Sequence, residues 1–136
     1  IQGGRVVALK LIERLGALNC SDQNMYKEYN VYEQLKHPNI CKMYAWSDEP
    51  KADIFLVLEF FPLSALDLAC FRRTAKAPLT NPEARIFFSQ FAEALGYLHR
   101  NLLAHRDLKP DNLLCTSRTI DGNFRVVLTD FGFCRR

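Results

Sequence analysis

A capping box marks Thr80-Asn81-Pro82-Glu83. The threonine hydroxyl can accept from the backbone three residues on, the glutamate can reach back, and proline stands in the first turn. The helix this predicts runs to about Arg100. Its apolar face, Ala84, Phe87, Phe88, Phe91, Leu95 and Leu98, is too broad to meet water and must pack on other elements.

Those other elements are short. Residues 5–12, RVVALKLI, are apolar and β-branched after the Gly3-Gly4 turn signal and predict a strand with Lys10 embedded in it. Residues 21–36 predict a helix capped by Ser21 or Asp22, with Met25, Glu28, Tyr32 and Leu35 recurring at steps of three and four. Glu28 thus falls on an otherwise apolar stripe. His37-Pro38-Asn39 ends that helix, and residues 40–46 and 53–60 predict two more strands that complete a small antiparallel sheet with the first. A short helix is expected over 63–71, and two short strands over 113–115 and 125–129 around an Asp121-Gly122-Asn123 turn.

Composition narrows the class. At 136 residues, 49% hydrophobic and 24% charged, the chain has the balance of one folded domain rather than of a disordered segment. A net charge of +3 without a long run of one sign calls for neither nucleic acid nor a membrane surface, and no apolar run has the length of a bilayer span. Five widely spaced cysteines without a CxxC pair suggest neither a disulfide framework nor a zinc site, which fits a reducing, intracellular compartment, cytoplasmic or nuclear. The first residue is Ile1 rather than methionine, as expected of a fragment.

Three motifs stand in order: Val7-Ala8-Leu9-Lys10, then His105-Arg106-Asp107-Leu108-Lys109-Pro110-Asp111-Asn112, then Asp130-Phe131-Gly132. Each has a plain alternative. Lys10 alone is an ordinary lysine at a strand edge, Glu28 an exposed helix glutamate, the Asp-Asn pair a turn former, and Asp130-Phe131-Gly132 a turn after a strand. Taken together they match VAIK, HRDLxxxN and DFG, and the chain resembles the eukaryotic-type serine/threonine protein kinase family over almost its whole length. The stretch from Pro82 to Asn112 resembles the calcium/calmodulin-kinase and AMP-kinase-like groups.

The resemblance implies an α+β, two-lobe fold, incomplete here: a partial upper lobe over residues 1–60, and a hinge with the start of the helical lower lobe over 61–136. It implies ATP and Mg²⁺ as cofactors and a protein substrate with a serine or threonine acceptor, since Lys109 resembles the serine/threonine enzymes. Lys10 would hold the α- and β-phosphates and Glu28 would fix Lys10 by an ion pair. Asp107 would accept or orient the proton of the substrate hydroxyl, and Lys109 would set positive charge beside the phosphoryl group in flight. Asn112 and Asp130 would supply oxygen ligands to Mg²⁺, and neither would bind it strongly without the nucleotide. The backbones of Glu59 and Phe61 would pair with adenine, Ala8 and Leu114 would sandwich its ring, and Leu58 would guard the rear pocket. Tyr32, Met43, His105 and Phe131 fall where kinases stack side chains between helix, sheet and metal loop. Arg106 before Asp107 implies control by a phosphorylated activation loop.

Two departures matter. The glycine-rich loop should precede the lysine strand, where only residues 1–5 stand, and no APE segment follows Gly132. An unpaired edge on the lysine strand, exposed apolar surface and marginal stability are therefore expected of these residues alone. The leading expectation is a serine/threonine kinase whose isolated piece is inactive; the alternative is a kinase-derived binding or regulatory module without turnover. A small-molecule phosphotransferase would share the catalytic aspartate and asparagine, but the full HRDLKPDN and DFG pair argues against it.

Overall fold

A computed structural model describes residues 4, 6–12, 21–47 and 54–135, with the side chains of 21–27 excepted. The N-terminal sheet contains β1 (Val7–Ile12), β2 (Met43–Ser47) and β3 (Ile54–Glu59), all antiparallel, in the order β1-β3-β2. Helix α1 (Ser21–Gln34) lies between β1 and β2 in sequence and packs against β2. Its end comes two residues before the expected one, because the residue ahead of Pro38 is pushed out of helical space. Strands β1, β2 and β3 are likewise trimmed relative to the sequence expectation, and Gly3, Arg5, Cys20 and Asp53 lie outside the described residues.

The largest difference concerns residues 40–42. They were expected to continue β2, but Ile40 bridges Leu128 in parallel and the Cys41 N–H donates to the Leu128 carbonyl at 2.9 Å. Both residues are 2% exposed, so their burial is satisfied against the second sheet.

That second sheet comprises β4 (Leu63–Ser64), β5 (Leu113–Cys115) and β6 (Val126–Leu128), antiparallel in the order β4-β5-β6. The two residues of β4 occupy what was expected to be the first turn of a helix. Ser64 instead ends the strand and caps α2 (Ala65–Thr74) in a reciprocal box with Asp67. Helix α3 (Asn81–Arg100) begins at the expected box: the Glu83 amide donates to Thr80 Oγ1 at 3.4 Å, and Thr80 N–H donates to Glu83 Oε2 at 2.9 Å. These bonds, joined by one from Arg72, bring the Glu83 pKa down to about 2.

Helix α3 packs on β6 through Phe87, Ala94 and Leu98, all buried. Phe88, expected on that face, is 57% exposed, and Ala94 takes the inward position instead. The core runs continuously from Leu56 and Leu58 of β3 through Ile40 to Val126, Val127, Leu128 and Phe131.

Candidate active site

The second sheet carries the loops on which the motif residues stand. Strand β5 follows a single 3₁₀ turn, Pro110–Asn112, which turns the Asn112 side chain back toward Asp107. Asn112 Nδ2 donates twice, to the Asp107 carbonyl and to Asp107 Oδ2, both at 2.9 Å. Lys109 Nζ donates to the same Oδ2 at 2.8 Å. The hydrogen bond from Lys109, aided by that from Asn112, holds the Asp107 carboxyl below the usual range, and the same contact raises Lys109. Asp107 Oδ1 accepts nothing among the described residues and is the oxygen left for an incoming hydroxyl.

The stretch His105–Asp107 is held from behind. His105 is 3% exposed; its Nε2 bonds the Thr129 carbonyl at 2.9 Å and its Nδ1 accepts from the Asp107 N–H at 3.3 Å. Arg106, between them, has φ +67° and donates from Nε to the Phe133 carbonyl at 3.1 Å. Asp130 also has positive φ, +65°. Left-handed backbone at two non-glycine residues on facing loops persists only where surrounding bonds over-determine it. Those bonds include the Asp130 N–H to Tyr32 Oη contact at 3.2 Å and the Tyr32 Oη–Thr129 Oγ1 contact at 3.0 Å.

Across from these loops, Lys10 on β1 donates to Glu28 Oε1 at 2.7 Å and to Asp130 Oδ1 at 3.0 Å. Burial works to lower the Lys10 pKa, but the two carboxylates outweigh it and hold the amine above its ordinary value. Glu28 is 5% exposed, whereas Glu33 on the outer face of α1 is exposed and bonded by Tyr29. The Phe131 ring, fully buried, packs edge-on to Tyr32 at 4.9 Å and to His105 at 5.3 Å between centroids. Met43, expected in that stack, is half-buried, lines a surface cleft with Tyr32 and packs against the core that holds Tyr32 and Phe131.

Of the expected adenine-facing residues, Ala8 and Leu114 are half-buried against the core, and Leu58 is buried at the end of β3. The Glu59 N–H is already committed to the Lys42 carbonyl at 2.8 Å, while its carbonyl accepts one contact from the Cys41 thiol at 3.7 Å and keeps a second lone pair for a ligand. The Phe61 backbone is unpaired among the described residues. Sequence reasoning missed Arg125, whose guanidinium grips the Glu59 carboxylate through two bonds of 2.8 and 2.7 Å. Its position just ahead of a strand carries no local signal.

The residues match a family by sequence as well as by geometry. The model of the protein kinase domain matches residues 1–136. The chain belongs to the protein kinase domain family. Among curated relatives, this kinase domain is 37% identical over 134 residues to the maternal embryonic leucine zipper kinase of Xenopus laevis, covering 98% of the chain and 19% of that protein. It is 38% identical over 128 residues to the SNF1-like protein kinase ssp2 of Schizosaccharomyces pombe, covering 93% of the chain and 20% of that protein. Its fold is similar to a chain of the yeast RNA Pol II CTD kinase CTDK-1 complex, with a TM-score of 0.76 and 25% identity over 97% of this chain and 40% of that one. The kinase domain residues here therefore span about a fifth of the length of these two curated relatives. The α+β, two-sheet architecture agrees with an incomplete two-lobe kinase fold.

Use of ATP and a divalent metal is general to the family, and the residues present fit a metal. Asn112 spends its amide nitrogen on Asp107 and so keeps Oδ1, while Asp130 keeps Oδ2. Among the described residues no three His, Cys, Asp or Glu side chains cluster as a metal site. Two oxygen ligands suit a hard ion whose remaining positions are filled by water and phosphate. No described helix is long and apolar enough to cross a membrane. Cys41, Cys70, Cys115 and Cys134 are free thiols.

Proposed function

We propose that this kinase domain transfers the γ-phosphoryl group of ATP to serine or threonine hydroxyls of an intracellular protein substrate. The observation that carries the proposal is Lys10 Nζ held between Glu28 and Asp130, residues distant in sequence that meet only when helix, strand and metal loop are all in register. An amine fixed at two points in a half-buried site serves as a phosphate anchor at little reorganisation cost. Asn112 and Asp130 would hold Mg²⁺, which would supply positive charge to offset that of the phosphates.

The protein's own part is positioning and proton handling. Asn112 and Lys109 fix one oxygen of Asp107, so the other points in a defined direction and accepts the substrate hydroxyl proton. With its pKa lowered, Asp107 is ionised at neutral pH and ready to accept. Lys109 stands beside that carboxylate, where it would also meet the transferring phosphoryl group. Ala8, Leu114, the Glu59 carbonyl and the Phe61 backbone would receive the adenine ring. A lobe boundary between residues 60 and 61 belongs to the same proposal and is supported by the two separate three-stranded sheets. The 136 residues hold neither a glycine-rich loop nor an APE segment, so no turnover is expected from them by themselves.

The test is phosphate transfer from MgATP to serine, threonine and tyrosine peptides by the full-length protein, with Asp107→Asn beside it. Transfer to serine or threonine peptides is expected, together with a loss of roughly 10²–10⁴-fold in the variant and little change in nucleotide binding. Equal turnover in Asp107→Asn would remove the role given to that residue, and transfer to tyrosine alone would overturn the substrate class.

A further inference from the structure

Glu59 is held by three protein groups. Its N–H donates to the Lys42 carbonyl at 2.8 Å, its carbonyl accepts from the Cys41 thiol at 3.7 Å, and its carboxylate takes the paired bonds of Arg125. Burial pushes the Cys41 thiol up to about 11, so it stays protonated and able to donate.

Arg125 reaches further than this one partner. Its Nε donates to the Pro38 carbonyl at 2.8 Å, in the loop that follows α1, and its guanidinium carbon lies 5.2 Å over the Phe61 ring. Its own backbone is fixed to Thr116 by a 3.1 Å bond and, through the threonine hydroxyl, by a 2.9 Å bond. One side chain anchored in the second sheet therefore grips the end of β3, the next buried hinge residue and the loop behind α1. Parallel fork-to-carboxylate bonds fix the plane of the acid and not merely its distance, which an ammonium could not do.

We propose that Arg125 is a positioning residue for the nucleotide: by clamping Glu59 and Phe61 from behind, it sets the affinity for ATP without touching it. This rests on the kinase function proposed above. Among the described residues no hydrogen bond joins the Arg125 side chain to the cluster of Asp107, Lys109 and Asn112, whose side chains bond one another. Adenine contacts are made equally in the ground and transition states. Loosening them raises KM for ATP and leaves kcat alone.

The experiment is steady-state kinetics of the full-length protein with MgATP varied, comparing the wild type with Arg125→Met, Arg125→Lys, Glu59→Gln and the Arg125→Met/Glu59→Gln double variant. Arg125→Met is expected to raise KM for ATP about tenfold, the loss of one charge-assisted contact, with kcat within about twofold and peptide KM unmoved. Arg125→Lys should fall between the two, and the double variant should be no worse than the poorer single one, since both remove the same interaction. Melting curves accompany each variant, and Arg125→Lys decides the matter if Arg125→Met does not fold.

An ATP KM within twofold of wild type in a folded variant overturns the inference. So does a rise in kcat, which would make the clamp a restraint on turnover, or a parallel loss in peptide KM, which would make it general scaffolding. If the wild type neither binds MgATP nor transfers phosphate, the kinase function falls and this inference with it. If the wild type is active and only the ATP KM fails to move, this inference falls alone.

Discussion

The two sheets of this kinase domain bury their strands differently. Along β1 every second residue is exposed, with Val7 at 41%, Leu9 at 62% and Leu11 at 48%, and no described strand pairs with its outer edge. Along β6, Val126, Val127 and Leu128 are all at or below 1%, with α3 on one side and the Asn39–Cys41 loop on its edge. The first sheet is one-sided and the second is enclosed. Chemistry is distributed accordingly: Asp107, Asn112 and Asp130 stand on loops of the enclosed sheet, while the first sheet contributes the single amine of Lys10.

The enclosed sheet also governs the other. Asn39 Nδ2 donates to the Val126 carbonyl at 2.8 Å and to Gln90 at 2.9 Å, and Leu128 N–H donates to the Asn39 carbonyl at 2.9 Å. The C-terminal end of α1 is thereby fixed to the second sheet, and through Glu28 so is Lys10. A perturbation of β6 should reach Lys10, whereas one on the outer face of α1 should not.

This contrast can be broken in several ways. The largest stability loss is expected from Leu128→Ala, a fully buried side chain beside Ile40, at about 3 kcal/mol by denaturant melting. A cost under 1 kcal/mol would mean that β6 is not the enclosed core described. Next, Glu28→Ala should lower kcat/KM by roughly 10²-fold through misplacement of Lys10, with a smaller change in stability than Leu128→Ala. If stability fell more than catalysis, the Lys10–Glu28 pair would be a structural tie rather than an anchor.

A smaller effect is expected on pH dependence. The Asp107 pKa is lowered chiefly by the Lys109 hydrogen bond, so the carboxylate stays ionised to lower pH than an ordinary aspartate and activity is lost only as pH falls through that depressed value. Lys109→Met should move the acid limb of the kcat/KM profile upward, because the Lys109 hydrogen bond is the largest cause of the lowered value. An acid limb that stays in place would separate Lys109 from the titration of Asp107. The smallest effect is that of Tyr29→Phe, which removes the hydroxyl's bond to the exposed Glu33 and keeps the ring packed 3.8 Å from Trp46. No measurable shift in melting temperature is expected, and a clear drop would mean that the outer face bears more of the helix than its exposure implies.

Much of the fold was legible from local rules. The Thr80–Glu83 box placed α3 correctly because capping is decided within four residues, and every strand but β4 was found from apolar runs bounded by turns. Glu28 was legible as the helix residue seeking a cation because a carboxylate on an apolar stripe needs a partner, and its ion pair with Lys10 is present. What failed were the ends of strands and the choice of neighbour. Residues 40 and 41 are as β-prone as those of β2, and only the position of Leu128 decided that they pair with it while Lys42 bonds β3. Phe88 is as apolar as Phe87, and only the tertiary packing of α3 turns one inward and leaves the other exposed.

The sequence by itself determined the order of the helices and longer strands, the capping of α3, the family and the identity of the motif residues, because these depend on residue type and short spacing. The tertiary structure alone decided which atom of each motif residue is free. Asn112 keeps its oxygen and Asp107 keeps Oδ1 because their other atoms are spent on each other and on Lys109. It alone also brought Arg125 to Glu59, a contact across 66 residues that no local pattern encodes, since a salt bridge forms wherever two folded surfaces meet.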